Sequence, residues 1–296
     1  MTEQEAKDAL NRMAVMKRLI QRICTPVSAM TRLSSLRTFF QKNDTVSFTE
    51  KENMMIWKGL FYAVWYSEMG KGCEDTMEVI VAQCRQSKSL LLTGMQTLVN
   101  EWKGIDSIRL DKFAYFARRL TNAMFSIEVR NDRQGELVQS VINTIKECAG
   151  LLFQFCNVFV EEMIRVLEQH PDKFSVITVL SLLKPVVSLL SETRNSTLQD
   201  TIQKEILVDS FVQLTDSSLC EQVIKYQKWL NKMLETFAAA ATSRTEQKVL
   251  RTTGYLINNE EELRLVFKAA ELASNPKKRP IRRFGKGRKK IRQCNL

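Results

Sequence analysis

The chain has 296 residues, 44% of them hydrophobic, enough for a sizeable core. Its 10 glycines and 5 prolines make up about 5% of the chain against an average of about 12%, which argues against turn-rich β-sandwiches and α/β enzymes and favours long helices with short loops. The net charge of +11 excludes an acidic protein but not a neutral body: ten of the 44 Lys and Arg fall within Pro276–Leu296, which has no acid, so 34 bases remain against 33 acids, or +1, in residues 1–275.

Apolar residues recur at spacings of three and four from end to end, as in helices. Residues 4–24 place Leu10, Met13, Ile20 and Ile23 on one face and stop at Thr25-Pro26. That pair suits a new start, with Thr as N-cap and Pro at the first helical position. The second helix buries Leu33, Leu36, Phe39 and Phe40. Asn43–Phe48 is a loop, and Thr49-Glu50-Lys51-Glu52 reads as a capping box. The third helix carries Trp57, Leu60, Phe61, Val64 and Trp65, with Gly70 and Gly72 as its stop.

Helices are expected near 75–86 and 88–103, the second closed by Gly104. Asp106 caps a helix with Leu110, Phe113, Ala117 and Leu120 inside and Arg109, Lys112, Arg118 and Arg119 outside. Asn131–Gly135 is a break, and 136–169 is a long apolar stretch ending at His170-Pro171. Further helices fit 173–191, 198–214, 217–241, 244–257 and 260–273. The fold class is therefore all-α: about ten to twelve helices, arranged as a HEAT- or armadillo-like helical-repeat solenoid, with a disordered basic C-terminal tail. Trp57-Lys58-Gly59 recurs as Trp102-Lys103-Gly104, 45 residues on, a spacing within the range of such repeats. One domain spans 1–275, followed by the tail 276–296.

Candidate chemistry is sparse. The single histidine, His170, sits at a helix end and before a proline, a structural place. The seven cysteines, at 24, 73, 84, 148, 156, 220 and 294, form no CxxC pair and read as small buried hydrophobes in a reducing compartment. No phosphate-binding glycine loop occurs. The pairs Glu161-Glu162 and Glu260-Glu261-Glu262 read as solvated faces. These features predict a non-enzyme with no cofactor, metal or small-molecule substrate. The polar N-terminus lacks the pattern of a secretory signal, and the apolar runs at 149–160 and 176–190 are too short or too interrupted to span a bilayer. The expectation is a soluble intracellular protein with no membrane partner.

Two segments stand out as binding elements. Glu101–Phe116 mixes Trp102, Phe113, Tyr115 and Phe116 with Lys103, Asp106, Arg109, Asp111 and Lys112, the combination that docking surfaces use. Helical periodicity turns Leu110, Phe113 and Trp102 inward and leaves Lys103, Arg109 and Lys112 outward, with Asp111 bracing them. The tail carries Lys277, Lys278, Arg279, Arg282, Arg283, Phe284, Lys286, Arg288, Lys289, Lys290 and Arg292. It resembles a nuclear import signal, to be read by an import receptor. Its cations suit phosphate backbones, and Phe284 suits an unpaired base.

The block Ile56-Trp-Lys-Gly-Leu-Phe-Tyr-Ala-Val-Trp-Tyr-Ser67, followed by Glu101-Trp-Lys-Gly-Ile-Asp-Ser-Ile-Arg-Leu-Asp-Lys-Phe113, resembles the ribosomal RNA-processing protein 1 family of nucleolar proteins. The likeness continues more weakly through Phe155–Leu167 and Leu183-Lys-Pro185, over roughly residues 5–215. Glu68-Met69-Gly70 departs from an expected acidic-basic-proline turn, and Lys103 and Ser107 replace residues more usual there. Without a long low-complexity extension, the chain looks like a compact version of the family. The resemblance implies a non-catalytic assembly factor of the early large (60S) ribosomal subunit in the nucleus and nucleolus. Its partners would be the pre-60S particle, other assembly factors and pre-rRNA, with Lys58, Lys103, Arg109, Asp111 and Lys112 as docking candidates. The alternative is a generic nuclear helical-repeat adaptor serving transport or chromatin, and a third class is a nuclease acting on pre-rRNA.

Overall fold

The computed structural model of the protein describes residues 11, 13–18, 20–22, 28–43, 48–215 and 217–257. The Thr25-Pro26 restart, the helix expected at 260–273 and the tail 276–296 lie outside the described residues. Residues 11, 13–18 and 20–22 are helical, and beyond them the described residues hold twelve α-helices and no strand. In chain order they are α1 (Ala29–Lys42), α2 (Glu50–Trp65), α3 (Lys71–Cys84), α4 (Lys88–Glu101), α5 (Ser107–Arg130), α6 (Glu136–Ile145), α7 (Ala149–Glu168), α8 (Val176–Glu192), α9 (Ser196–Thr201), α10 (Asp209–Thr215), α11 (Val223–Ala240) and α12 (Arg244–Ile257). A π-helical segment, Ile202–Val208, joins α9 to α10.

Short polar side chains set the helix starts. Ser28, Ser87, Asp106, Ser175 and Asn195 each accept from a backbone N–H in the first turn, satisfying a donor that has no partner inside the helix. At Thr49 the expected capping box is complete: Thr49 accepts from Glu52 N, and the Glu52 carboxylate accepts from Thr49 N. Gly70, expected to help stop α2, instead precedes α3 at φ 134°, and Gly72 lies within α3. The apolar stretch 136–169 is two helices, divided between Ile145 and Ala149. His170 lies just past the end of α7, where its N–H donates to Leu167 O.

From α1 to α7 each helix packs mainly on a helix two places along, whereas α11 and α12 pack mainly on each other. In one layer α1 meets α3, α3 meets α5, α5 meets α7, and α7 meets the π segment and α10. In the other, α2 meets α4, α4 meets α6, α6 meets α8, and α8 meets α11 and α12. Stacked helical hairpins give this alternation, and it is compatible with an α-solenoid. One hydrophobic cluster runs through both layers from Met16 to Ile257. Cys73, Cys84, Cys148 and Cys156 are free thiols within it, and burial pushes the Cys156 thiol up to about 12. No described helix is long and apolar enough to cross a membrane.

Two glycines allow close contacts. The Trp57 indole, fully buried, donates to Leu90 O at 2.6 Å and lies where a Cβ on Gly94 would be, 2.2 Å from Cζ2. At Gly135 the backbone is left-handed (φ 90°), and a Cβ would lie 2.5 Å from Ser181 O. That carbonyl lacks its helical donor because residue 185 is proline, so α6 starts against a gap in the ladder of α8. The Trp-Lys-Gly recurrence is not a structural repeat. Trp57 lies mid-helix, whereas Trp102 begins a 3-10 turn after α4.

Candidate functional site

The ends of α2 and α5 form a corner in which aromatic and charged side chains meet. The α2 helix ends at Trp65 and exposes on its outer side Met54, Lys58 and Tyr66, spaced for one face. Tyr62 and Tyr66 stack at 6.0 Å between ring centroids. From α5, Arg109 lies over the half-buried Trp65 ring, its guanidinium carbon 4.7 Å from the centroid, and pairs with Asp106. Asp106 caps α5 by accepting from Arg109 N at 2.9 Å. Desolvation pushes its carboxyl up, but the Arg109 N–H and guanidinium outweigh that and hold it below the usual range. Ile108, next to Arg109 in the chain, is 87% exposed, and Met69, four residues after Trp65, is 67% exposed. The corner thus presents a fixed cation on an aromatic face with apolar neighbours, suited to contact with a partner surface.

Of the sequence-expected docking residues, Lys58, Lys103 and Asp111 are exposed and Arg109 is half-buried. Lys112 requires correction: expected outward, it is 4% exposed. Its ammonium donates to Trp65 O and Ser67 O, each at 2.9 Å, closing the C-terminus of α2 where the helix dipole favours a cation. Arg32 of α1 donates to Ser67 Oγ at 3.2 Å, so cations from α1 and α5 grip the same helix end. Burial lowers the pKa of the Lys112 ammonium. Asp106, not Asp111, braces Arg109. Trp102 is half-buried against the core, where a Cβ on Gly150 would lie 2.5 Å from its Nε1. Leu110 is half-buried, while Phe113 stacks on Phe61 within the core. Phe284 and the ten tail cations, Lys277 to Arg292, lie outside the described residues.

Arg118 and Arg119, also expected outward, are half-buried and paired. Arg118 Nε lies 2.5 Å from Glu162 and its Nη2 pairs with Glu161, both on α7, while Arg119 pairs with Glu78 on α3. Glu162 is 1% exposed rather than solvated; it also accepts from Asn122 Nδ2 at 2.9 Å and Arg165 Nη1 at 2.9 Å. Arg85 connects Glu78, at 2.8 Å, to Asn122, at 3.3 Å. This network crosses α3, α5 and α7 and fixes their register. Sequence reasoning missed it, and missed the Trp65–Arg109 stack, because the contacts that join the helices link residues 37 to 44 positions apart.

The comparisons agree with the blocks at 56–67 and 101–113. The model of the family described as "Nucleolar protein, Nop52" matches residues 28–263. The human "Ribosomal RNA processing protein 1 homolog B" is 24% identical over 215 residues, 67% of this chain and 28% of the relative. The Drosophila melanogaster "Ribosomal RNA processing protein 1 homolog" is 24% identical, covering 66% of this chain and 30% of the relative. The Mus musculus "Ribosomal RNA processing protein 1 homolog A" is 29% identical over 153 residues, 45% of this chain and 31% of the relative. The chain therefore spans less than a third of the length of these relatives. The family match begins at the cap of α1 and continues past the end of α12, taking in every described helix from α1 onward: the chain belongs to the Nop52 family of nucleolar proteins.

Proposed function

We propose that the protein is a ribosome biogenesis factor that acts in the nucleolus as a non-catalytic scaffold of the large-subunit precursor. The observation that carries this reading is the family match over residues 28–263, supported by relatives named for ribosomal RNA processing. Residues 1–275 form the helical-repeat body, which holds assembly factors and pre-rRNA so that other proteins can process the RNA. The α2–α5 corner, with Lys58, Lys103, Asp111 and the Arg109–Trp65 stack, is its protein-docking surface. Residues 276–296 form a basic arm that contacts rRNA and engages an import receptor.

Sedimentation of nuclear extract tests the reading. The protein is expected to comigrate with large-subunit precursors, and depletion is expected to leave pre-rRNA intermediates unprocessed. Migration only as a free monomer would overturn it. So would cleavage of a precursor transcript by the purified protein.

A further inference from the structure

The outer face of α11 has no place in that reading of the corner and tail. Its buried side is Val223, Tyr226, Leu230, Leu234 and Ala238. Lys225, Lys228 and Lys232 line the opposite side at spacings of three and four, all exposed. On the helix axis they cover about 10 Å at a rise of 1.5 Å per residue. Trp229 lies among them, 37% exposed, with the Lys225 ammonium 5.0 Å from its ring centroid. The indole is a shared wall between two shallow cavities. One, of about 480 Å³, is closed by Leu180, Lys232, Met233 and Thr236; the other, of about 650 Å³, includes Ile224, Gln227 and Lys228.

From this arrangement we propose that the α11 face binds single-stranded RNA, its lysines along the phosphates and a base against Trp229. Charge argues for an anionic occupant: three lysines share the face, and Glu235 is the one acid lining either cavity. A tryptophan interleaved with cations is the pairing used where bases stack and the backbone is tracked without sequence readout. Exposed Ile224 adds apolar area at the edge. The inference deepens the scaffold reading by assigning an RNA surface to the folded body rather than to the tail alone.

The test uses the full chain and a labelled oligouridine of about twelve nucleotides. Loss of one stacked base through Trp229→Ala is expected to weaken binding about tenfold, with Trp229→Tyr restoring most of it. The triple variant Lys225→Gln, Lys228→Gln, Lys232→Gln is expected to reduce the slope of log affinity against log salt by about 2, or about 0.7 per lost contact. RNA is also expected to quench tryptophan emission in the wild type and not in Trp229→Phe. These side chains are on the surface, so unchanged circular dichroism and urea midpoints confirm that the variants fold. An unchanged slope with no quenching would overturn the proposal. Equal competition by a polyglutamate peptide, together with insensitivity to Trp229→Ala, would also overturn it by making the face a site for acidic protein. Failure here with comigration intact refutes only this surface. RNA binding at α11 without comigration refutes only the scaffold role.

Discussion

Lys112 shows how a charged residue can serve the fold rather than a partner. Its ammonium satisfies two carbonyls at the end of α2 and lies 6.0 Å from the ring centroid of Phe113. Lys112→Met keeps the hydrocarbon stem but leaves both carbonyls without that donor. We expect a loss of about 2 kcal/mol, the desolvation cost of unpaired buried polar groups. Urea midpoints check this, with Lys103→Met as the exposed control, expected within about 0.5 kcal/mol of wild type.

At the scale of elements, tight approaches between helices depend on missing side chains. Gly94 of α4 sits directly against the Trp57 indole of α2. Gly94→Ala is expected to destabilise by about 2 kcal/mol, since overpacking costs exceed the gain of about 1 kcal/mol in helix propensity. Gly104→Ala, where nothing lies within 4 Å of an added Cβ, is expected to be neutral or mildly stabilising, and denaturant midpoints separate the two. The helices themselves were largely legible because period and caps are local: Thr49 with Glu52, and Asp106 before α5, announce their starts in the chain. The orientation of charged side chains was not legible in the same way. Helical angle alone turned Lys112, Arg118 and Glu162 outward, whereas each is placed by a partner on another helix. The corner was half-visible. Its aromatic and charged composition marks Glu101–Phe116, but in the sequence Trp65 reads only as one of the apolar positions of its helix, and it serves as the platform for Arg109 because α5 lies across it.

Across the whole molecule, packing by layers makes the stability of neighbouring helices interdependent and that of distant ones nearly independent. The Glu162 network connects α3, α5 and α7. Glu162→Ala leaves Arg118 and Asn122 without a shared acceptor, at an expected cost of about 3 kcal/mol. Amide exchange is expected to quicken in α3, α5 and α7 while α11 and α12 keep wild-type rates. Uniform acceleration through α12 would mean that the layers unfold as one unit.

The sealed position of Lys112 also decides what chemical footprinting of this protein can report. An amine-reactive label reaches Lys58 and Lys103 on the free chain but is kept from an ammonium that is 4% exposed and bonded to two carbonyls. Silence at Lys112 inside an assembled particle is therefore no sign of a partner, whereas new silence at Lys58 and Lys103 marks an occupied corner. Labelling at Lys112 would instead report that α5 has come away from the end of α2.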